Sequence, residues 1–456
     1  MPGKPDQAPA GGNADEVAAF VLSLERADLP DDVRRIACRW LLDLCGTAAS
    51  GTRTALSRIV RDHAATHFGA GGSPATRLIF DGRTVSPPGA ALAAGMTIDA
   101  VDAHDGHRLT KGHAGCGTLA AVLAMADAGE DTLQDDFLVR FVLGYEIGTR
   151  AGIALHASVP DYHTSGAWIA LAAAAIGARA LKLDIERARH ALGIAEYHGP
   201  RSQMMRCIDH PTMLKDGSGW GAMAGVSAAF LAADGFTGAP AITAGTGVRD
   251  LWNDLGSVWR IREQYYKPWP VCRWAQPAVA AVLTLRARHK LATADVERIE
   301  VATFHESVRL AVRHPRTTEE AQYSTAYPVA AAMARGRLAF EEISEAAFAD
   351  PEIRRLAAGM EMTETAEFNA AFPARRFASV VLHLADGTRL ASPPTEAPGD
   401  PETAPGDDDV LAKFHDLADP VLGEARARHV AGLVADLADD ASARPLIAEL
   451  LSPAGV

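Results

Sequence analysis

The chain has 456 residues, 48% of them apolar, and carries 44 Lys and Arg against 57 Asp and Glu, a formal charge of −13. That length accommodates a large core and predicts two domains, and the apolar fraction excludes disorder for most of it. The acidic balance excludes general nucleic-acid binding, which needs a basic surface to neutralise phosphates, but leaves room for an anionic small molecule held by a few cations in a cleft.

Residues 1–12, inside the Pro- and Gly-rich MPGKPDQAPAGGN, predict a disordered tail with no secretory apolar core. Asn13 followed by Glu16 predicts an N-cap with a reciprocal capping residue and a first helix ending before Leu29-Pro30. A second helix is expected from Asp31 to Gly51, because Ile36, Trp40, Leu41, Leu44 and Cys45 recur at helical spacing. ATRLIFDGRTV predicts a short hairpin, and helices follow at 89–101, 116–128, 136–156, 164–179, 184–197 and 219–234. The nearest approach to a membrane span, 167–181, is too short and too interrupted, so no membrane partner is expected.

From about residue 296 the pattern changes. VERIEVATF alternates like a strand, helix returns near 325, FEEISEAAF begins another helix, and 375–390 reads as a hairpin turning at Asp386-Gly387. The expected organisation is a helical domain over 13–275, a smaller α+β domain over 276–395, and a linker with C-terminal helices over 396–456 that return to the first domain. Five cysteines without a CxxC pair argue against a zinc ribbon or disulfide scaffold and for a reducing, cytoplasmic setting.

The chemistry concentrates in residues 99–115, DAVDAHDGHRLTKGHAG, which lie between apolar helical segments. His107 and His113 can exchange protons near neutrality, Asp102 can orient an imidazole or cap a helix, and Arg108 and Lys111 can hold carboxylates. The competing reading is a solvated connection with capping aspartates. A metal reading rests only on an HxxH spacing, so no metal is expected. His163 in PDYHTSGAW, Lys215 before a glycine-containing helix, and Lys267, Cys272 and Arg273 in YYKPWPVCRW could complete a site. Cys272 has no adjacent His base and reads as packing. The sequence has no P-loop, GxSxG elbow or dinucleotide fingerprint, so no cofactor is expected and side chains must perform the chemistry.

These words, in this order, resemble the MmgE/PrpD family: LPDDVRRIACRWLLDLCGTAASG, AALAAGMTIDAVDAHDGHRLTKGHAG, RFVLGYEIGTRAG, YHTSGAW, AEYHG, YKPWPVCRWAQ, AQYSTAYPVAAA and LAKF. The family includes 2-methylcitrate dehydratase, cis-aconitate decarboxylase and iminodisuccinate epimerase. The resemblance implies a mainly α-helical large domain with a smaller α+β lid domain, a homodimer, and cofactor-independent action on a small di- or tricarboxylate substrate. It places the family's catalytic Asp on Asp102, its histidines on His113 and His163, and its Lys on Lys215, while His107 and Arg108 match the DGHR form of the loop. Asp99 stands where members often have His, GHAG replaces GHPG, and Gly106-His107 occupies the place of the decarboxylase-like threonine.

The expectation is a hydro-lyase that removes a proton next to a carboxylate, with epimerisation or decarboxylation as alternatives and a non-catalytic carboxylate-binding protein behind them. His113 and His163 would serve as base and acid, in either order, with Asp102 tuning one of them and His107 also near the substrate. Arg108, Lys215, Lys267 and Arg273 would hold carboxylates, and Tyr327 would line the lid side.

Overall fold

The computed structural model describes residues 12–71, 74–129 and 136–455, so most of the expected tail lies outside the described residues. The first helix, Gly12–Ser23, already contains Asn13. The Asn13 amide does not cap it but donates to the carbonyls of Ala244 (3.0 Å) and Gly245 (3.2 Å), tying the helix to a distant turn. The helix Asp31–Gly51 has the expected ends: Pro30 precedes it, and Asp31 and Asp32 in its first turn complement the helix dipole. An unexpected helix, Ala55–His67, follows, with the Thr54 hydroxyl accepting from the Ser57 backbone N–H at its start.

The hairpin is short: β1 (Thr76–Arg77) pairs antiparallel with β2 (Thr84–Val85). Helices Pro87–Asp99, Gly115–Ala128, Phe137–Ser158, Gly166–Ala180, Ile185–His198 and Ser218–Ala233 form the helical body. Their Ala and Gly content lets backbones touch. A Cβ built on Gly225 would lie 2.2 Å from the Ala170 carbonyl oxygen, so any larger residue would force helices Gly166–Ala180 and Ser218–Ala233 apart.

A smaller sheet lies in the second half of the chain. In it, β5 (Val296–Thr303) runs parallel to β6 (Glu361–Glu364) and antiparallel to β7 (Phe377–Leu384), and β8 (Arg389–Ala391) follows β7 through a turn at Gly387 (φ +88°). A further short strand, β9 (Thr395–Glu396), also pairs with β7. Helices Gln276–His289 and Ala326–Arg335 contribute Val279, Val282, Val329 and Ala330 to the core shared with Ile299, Val301, Val380 and Leu382. The FEEISEAAF segment forms two short 3₁₀ turns, Glu341–Ile343 and Glu345–Ala347, in place of the expected helix.

Two large apolar cores result. Val410, Phe414 and Ala418 of helix Asp407–Leu422, with Val430, Leu446 and Leu450 beyond it, share the first core with Val17, Leu41 and Leu119. Val101 and Ala103 belong to the second core. Asp102, between them, lies on the loop that runs from helix Pro87–Asp99, whose Ile98 is in the first core, into the second core. The fold is mainly α-helical with a smaller α+β part. Among the described residues no helix is long and apolar enough to cross a membrane.

Candidate active site

The acidic and basic loop 99–115 connects helices Pro87–Asp99 and Gly115–Ala128. Its middle is extended: β3 (Gly106–His107) pairs with β4 (Gln264–Tyr265). That short ladder places Lys267, two residues beyond β4, against the loop. Lys267 is fully buried, and its ammonium pairs with Asp102 Oδ1. Burial would raise the Asp102 pKa, but Lys267, then Lys215, His113 and His104 outweigh it and hold the carboxyl well below its usual range. Burial likewise works against the Lys267 charge, and Asp102 overcomes it.

Gln322 closes the other side. Its Oε1 accepts from the Asp102 backbone N–H (2.9 Å) and from Lys215 Nζ (2.7 Å), while its Nε2 donates to the Ala100 carbonyl (3.0 Å) and Thr318 Oγ1 (2.8 Å). Lys215 is held at φ +48° just before helix Ser218–Ala233, with its ammonium 4.6 Å from the centre of the Tyr323 ring. A left-handed lysine is a strained choice, retained here where it delivers a buried charge to the loop.

His113 has a fixed tautomer. Its Nδ1 lies 2.6 Å from the Asp105 carbonyl, which can only accept, so Nδ1 carries the proton. Nε2 then presents a lone pair, 3.6 Å from Asp216 Oδ2 and 4.0 Å from Asp102 Oδ1. Burial, Lys267 and His104 hold the imidazole well below its usual pKa, so it is neutral at pH 7. Asp216 is pushed the other way, to about 7, by burial and then by Asp99. Its Oδ2 accepts from the Ser165 hydroxyl at 2.5 Å, and the same hydroxyl accepts from the His113 backbone N–H at 3.0 Å. The arrangement is a neutral imidazole base backed by a carboxyl that keeps its proton near neutrality.

Asp102, Lys111, His113 and Arg273 line one cavity of about 30 Å³, together with Tyr162, Tyr265, Cys272, Tyr323 and Arg376. Lys215 and Lys267 reach it through Gln322 and Asp102. Arg273 is largely committed to the protein: its Nη atoms bond the carbonyls of Tyr266, Ala397 and Pro398 and, at 2.8 Å, Asp400. Burial raises the Cys272 thiol to about 12, which leaves no thiolate for nucleophilic work.

The other sequence candidates sit elsewhere. His107 accepts from the Thr110 backbone N–H at Nδ1 and donates through Nε2 to Glu263 (3.0 Å), so its ring braces the β3–β4 ladder. Arg108 is partly exposed and pairs with Glu402. The Tyr327 hydroxyl donates to the Glu342 carbonyl (2.8 Å) inside the second core. His163 follows cavity-lining Tyr162, but its Nδ1 bonds the Asp161 carbonyl (3.0 Å) and its ring faces His156 at 6.4 Å between centroids. Among the described residues no three His, Cys, Asp or Glu side chains converge as a metal-holding set.

Asp216, Gln322 and Arg376 escaped the sequence reading. Asp216 adjoins Lys215, and Arg376 shares strand parity with buried Ala378, Val380 and Leu382, a usable signal for an inward-facing residue. Gln322 carries no charge and left no such trace.

The chain matches the MmgE/PrpD N-terminal domain over residues 15–250 and the MmgE/PrpD C-terminal domain over residues 269–439. It is 23% identical over 501 residues to the cis-aconitate decarboxylase-like protein oryM of Aspergillus oryzae, covering 97% of this chain and 98% of that one. It is 25% identical over 489 residues to a cis-aconitate decarboxylase of Aspergillus terreus, covering 97% and 96%.

Proposed function

The chain belongs to the MmgE/PrpD family, and from that premise we propose that it is a cofactor-independent lyase that dehydrates a small di- or tricarboxylic acid. The observation that carries this reading is His113, a neutral buried imidazole whose free Nε2 faces a cavity surrounded by cations. In the proposed reaction Nε2 takes the proton from a carbon next to a substrate carboxylate. Lys267 and Lys215 stabilise the enediolate-like charge that develops, and Asp102 positions Lys267. The hydroxyl then leaves with a proton from His163, which lies beside His156 and next to cavity-lining Tyr162 and must turn toward the cavity as substrate enters, and the product is an alkene plus water.

A cavity of this size holds one or two waters. The proposal therefore includes separation of the two cores as substrate enters, with 276–395 acting as the lid and closing to exclude bulk water. A homodimer in the cytoplasm is part of the same reading. It is supported by exposed Tyr197, Trp220 and Leu231 on two helices packed against each other, and by five buried free cysteines.

The names of the relatives favour a second reading, loss of carbon dioxide, in which a C–C bond breaks and the same acid protonates the resulting carbanion. The test is an NMR screen of small di- and tricarboxylic acids in deuterated water. Loss of water from one of them supports dehydration, carbon dioxide release selects decarboxylation, and deuterium incorporation alone selects epimerisation. Tight binding of these acids with no turnover across the panel would leave a carboxylate-binding protein instead.

A further inference from the structure

Resting on the polycarboxylate reading, we propose that Arg376 is the anchor for a substrate carboxylate remote from the reacting carbon, with Lys111 as its partner in the same cavity. Arg376 immediately precedes β7, is 3% exposed and lines the same cavity as Asp102 and His113. Among the described residues, its Nε and Nη1 are buried with no hydrogen-bond partner. No ion pair among the described residues includes it. The rings of Tyr265 and Phe372 lie against its guanidinium, at 5.9 and 6.0 Å from the ring centroids, and the Arg273 charge is near enough to repel it.

The neighbouring arginines make the contrast. Arg273 lines the same cavity, yet its Nη atoms bond three carbonyls and Asp400. Arg375 points outward and bonds Glu396 through Nε (2.9 Å) and Nη2 (2.7 Å). Arginine does not deprotonate in proteins, so burial leaves Arg376 a full charge with unused donors. Such a group is costly unless an anion reaches it.

Its planar fork matches a carboxylate in bidentate geometry. Lys111 lines the same cavity from the loop 99–115. Its backbone is held at φ +51°, its ammonium lies 5.3 Å from the Tyr162 ring centre, and it forms no ion pair among the described residues. Lys267 pairs with Asp102, whose Oδ1 is 4.0 Å from His113 Nε2, and Lys215 joins the Asp102 backbone through Gln322, so the reacting carboxylate belongs to them and a second carboxylate to Arg376 and Lys111. A carboxylate bridging these two residues would also link the sheet to the loop as the site closes.

The experiment uses calorimetric titration of full-length protein with tricarballylate, a tricarboxylate with no hydroxyl to lose. The variants are Arg376→Met and, as a control outside the site, Arg375→Gln. Expected is a loss of about 10- to 100-fold in affinity for R376M and wild-type binding for R375Q. A separate readout excludes a merely structural role: removing an unpaired buried charge raises the melting temperature of ligand-free R376M, by about 2–4 °C. R376M that binds as wild type does, or that loses binding together with a lower melting temperature, overturns the inference and leaves the polycarboxylate reading standing. Wild-type protein that binds neither tricarballylate nor succinate overturns that reading, and the anchor with it.

Discussion

Replacing Lys267 with Met tests its ion pair with Asp102. The pair it breaks is fully enclosed: Lys267 is 0% and Asp102 3% exposed. After the change no hydrogen bond from the described residues remains to the Asp102 carboxylate. Its backbone N–H still donates to Gln322, and His113, 4.0 Å away, is neutral. An uncompensated buried charge of this kind costs about 3–5 kcal/mol. The deficit depends on pH with a definite sign. In the wild type Asp102 has a folded pKa below 3.8, so its contribution is present above 3.8 and is lost as pH falls through the folded value. In K267M burial is no longer outweighed by that ammonium, the folded pKa rises, and the deficit shrinks as pH falls from about 8 to about 5. Guanidinium unfolding followed by tryptophan fluorescence at the two pH values measures it. The double variant Asp102→Leu/Lys267→Met should recover much of the loss, because an apolar pair leaves no stranded charge. A loss under about 1 kcal/mol, equal at both pH values and not reduced in the double variant, would refute the reasoning.

Asp216→Asn should remove a pH-dependent burden. The raised folded pKa of about 7 makes the wild type lose stability as pH rises from 3.8 through about 7, so the variant should gain about 1–3 kcal/mol relative to wild type between pH 5 and pH 8 in the same unfolding assay. Gly225→Ala should destabilise by about 1–3 kcal/mol in urea, because its Cβ meets a backbone oxygen that cannot rotate away. Arg108→Ala should leave kcat/KM within about threefold, since its guanidinium is spent on Glu402 at the surface. His107→Gln should lower the melting temperature by a few degrees through loss of the Glu263 contact, with a far smaller effect on kcat/KM than His113→Ala.

The parts of the fold that were legible in the sequence are those with local causes. Pro30, the Asp31-Asp32 pair and an apolar stripe mark the helix Asp31–Gly51 without help from the rest of the chain. Asp386-Gly387 marks the turn between β7 and β8 in the same way. Helix Ala55–His67 was hidden because Arg58, Arg61, Asp62, His63 and His67 crowd the stripe formed by Leu56, Val60 and Ala64, although Thr54 is a proper cap. Asn13 looked like a cap because its true partners, Ala244 and Gly245, are far away in the chain.

The site follows the same division. The density of charge in 99–115 pointed to the right loop, but the direction each side chain takes there is set by distant chain. Pairing of β3 with β4 turns His107 toward Glu263 and brings Lys267 to Asp102. The Asp105 carbonyl and Ser165 fix His113. A search for titratable groups passes over Gln322, whose amide joins Asp102 to Lys215. It also gives no reason to prefer Arg376 over Arg375 until strand alternation and the ion pair of Arg375 are considered together.

The central claim is that His113 Nε2 moves the substrate proton. The most direct measurement is deuterium incorporation at the carbon next to the carboxylate, by NMR in deuterated water, on whichever acid the wild type turns over. His113→Ala should slow exchange about 10²- to 10⁴-fold while substrate affinity stays within a few-fold, and added imidazole should restore part of the rate. Exchange at the wild-type rate in folded His113→Ala would contradict the account.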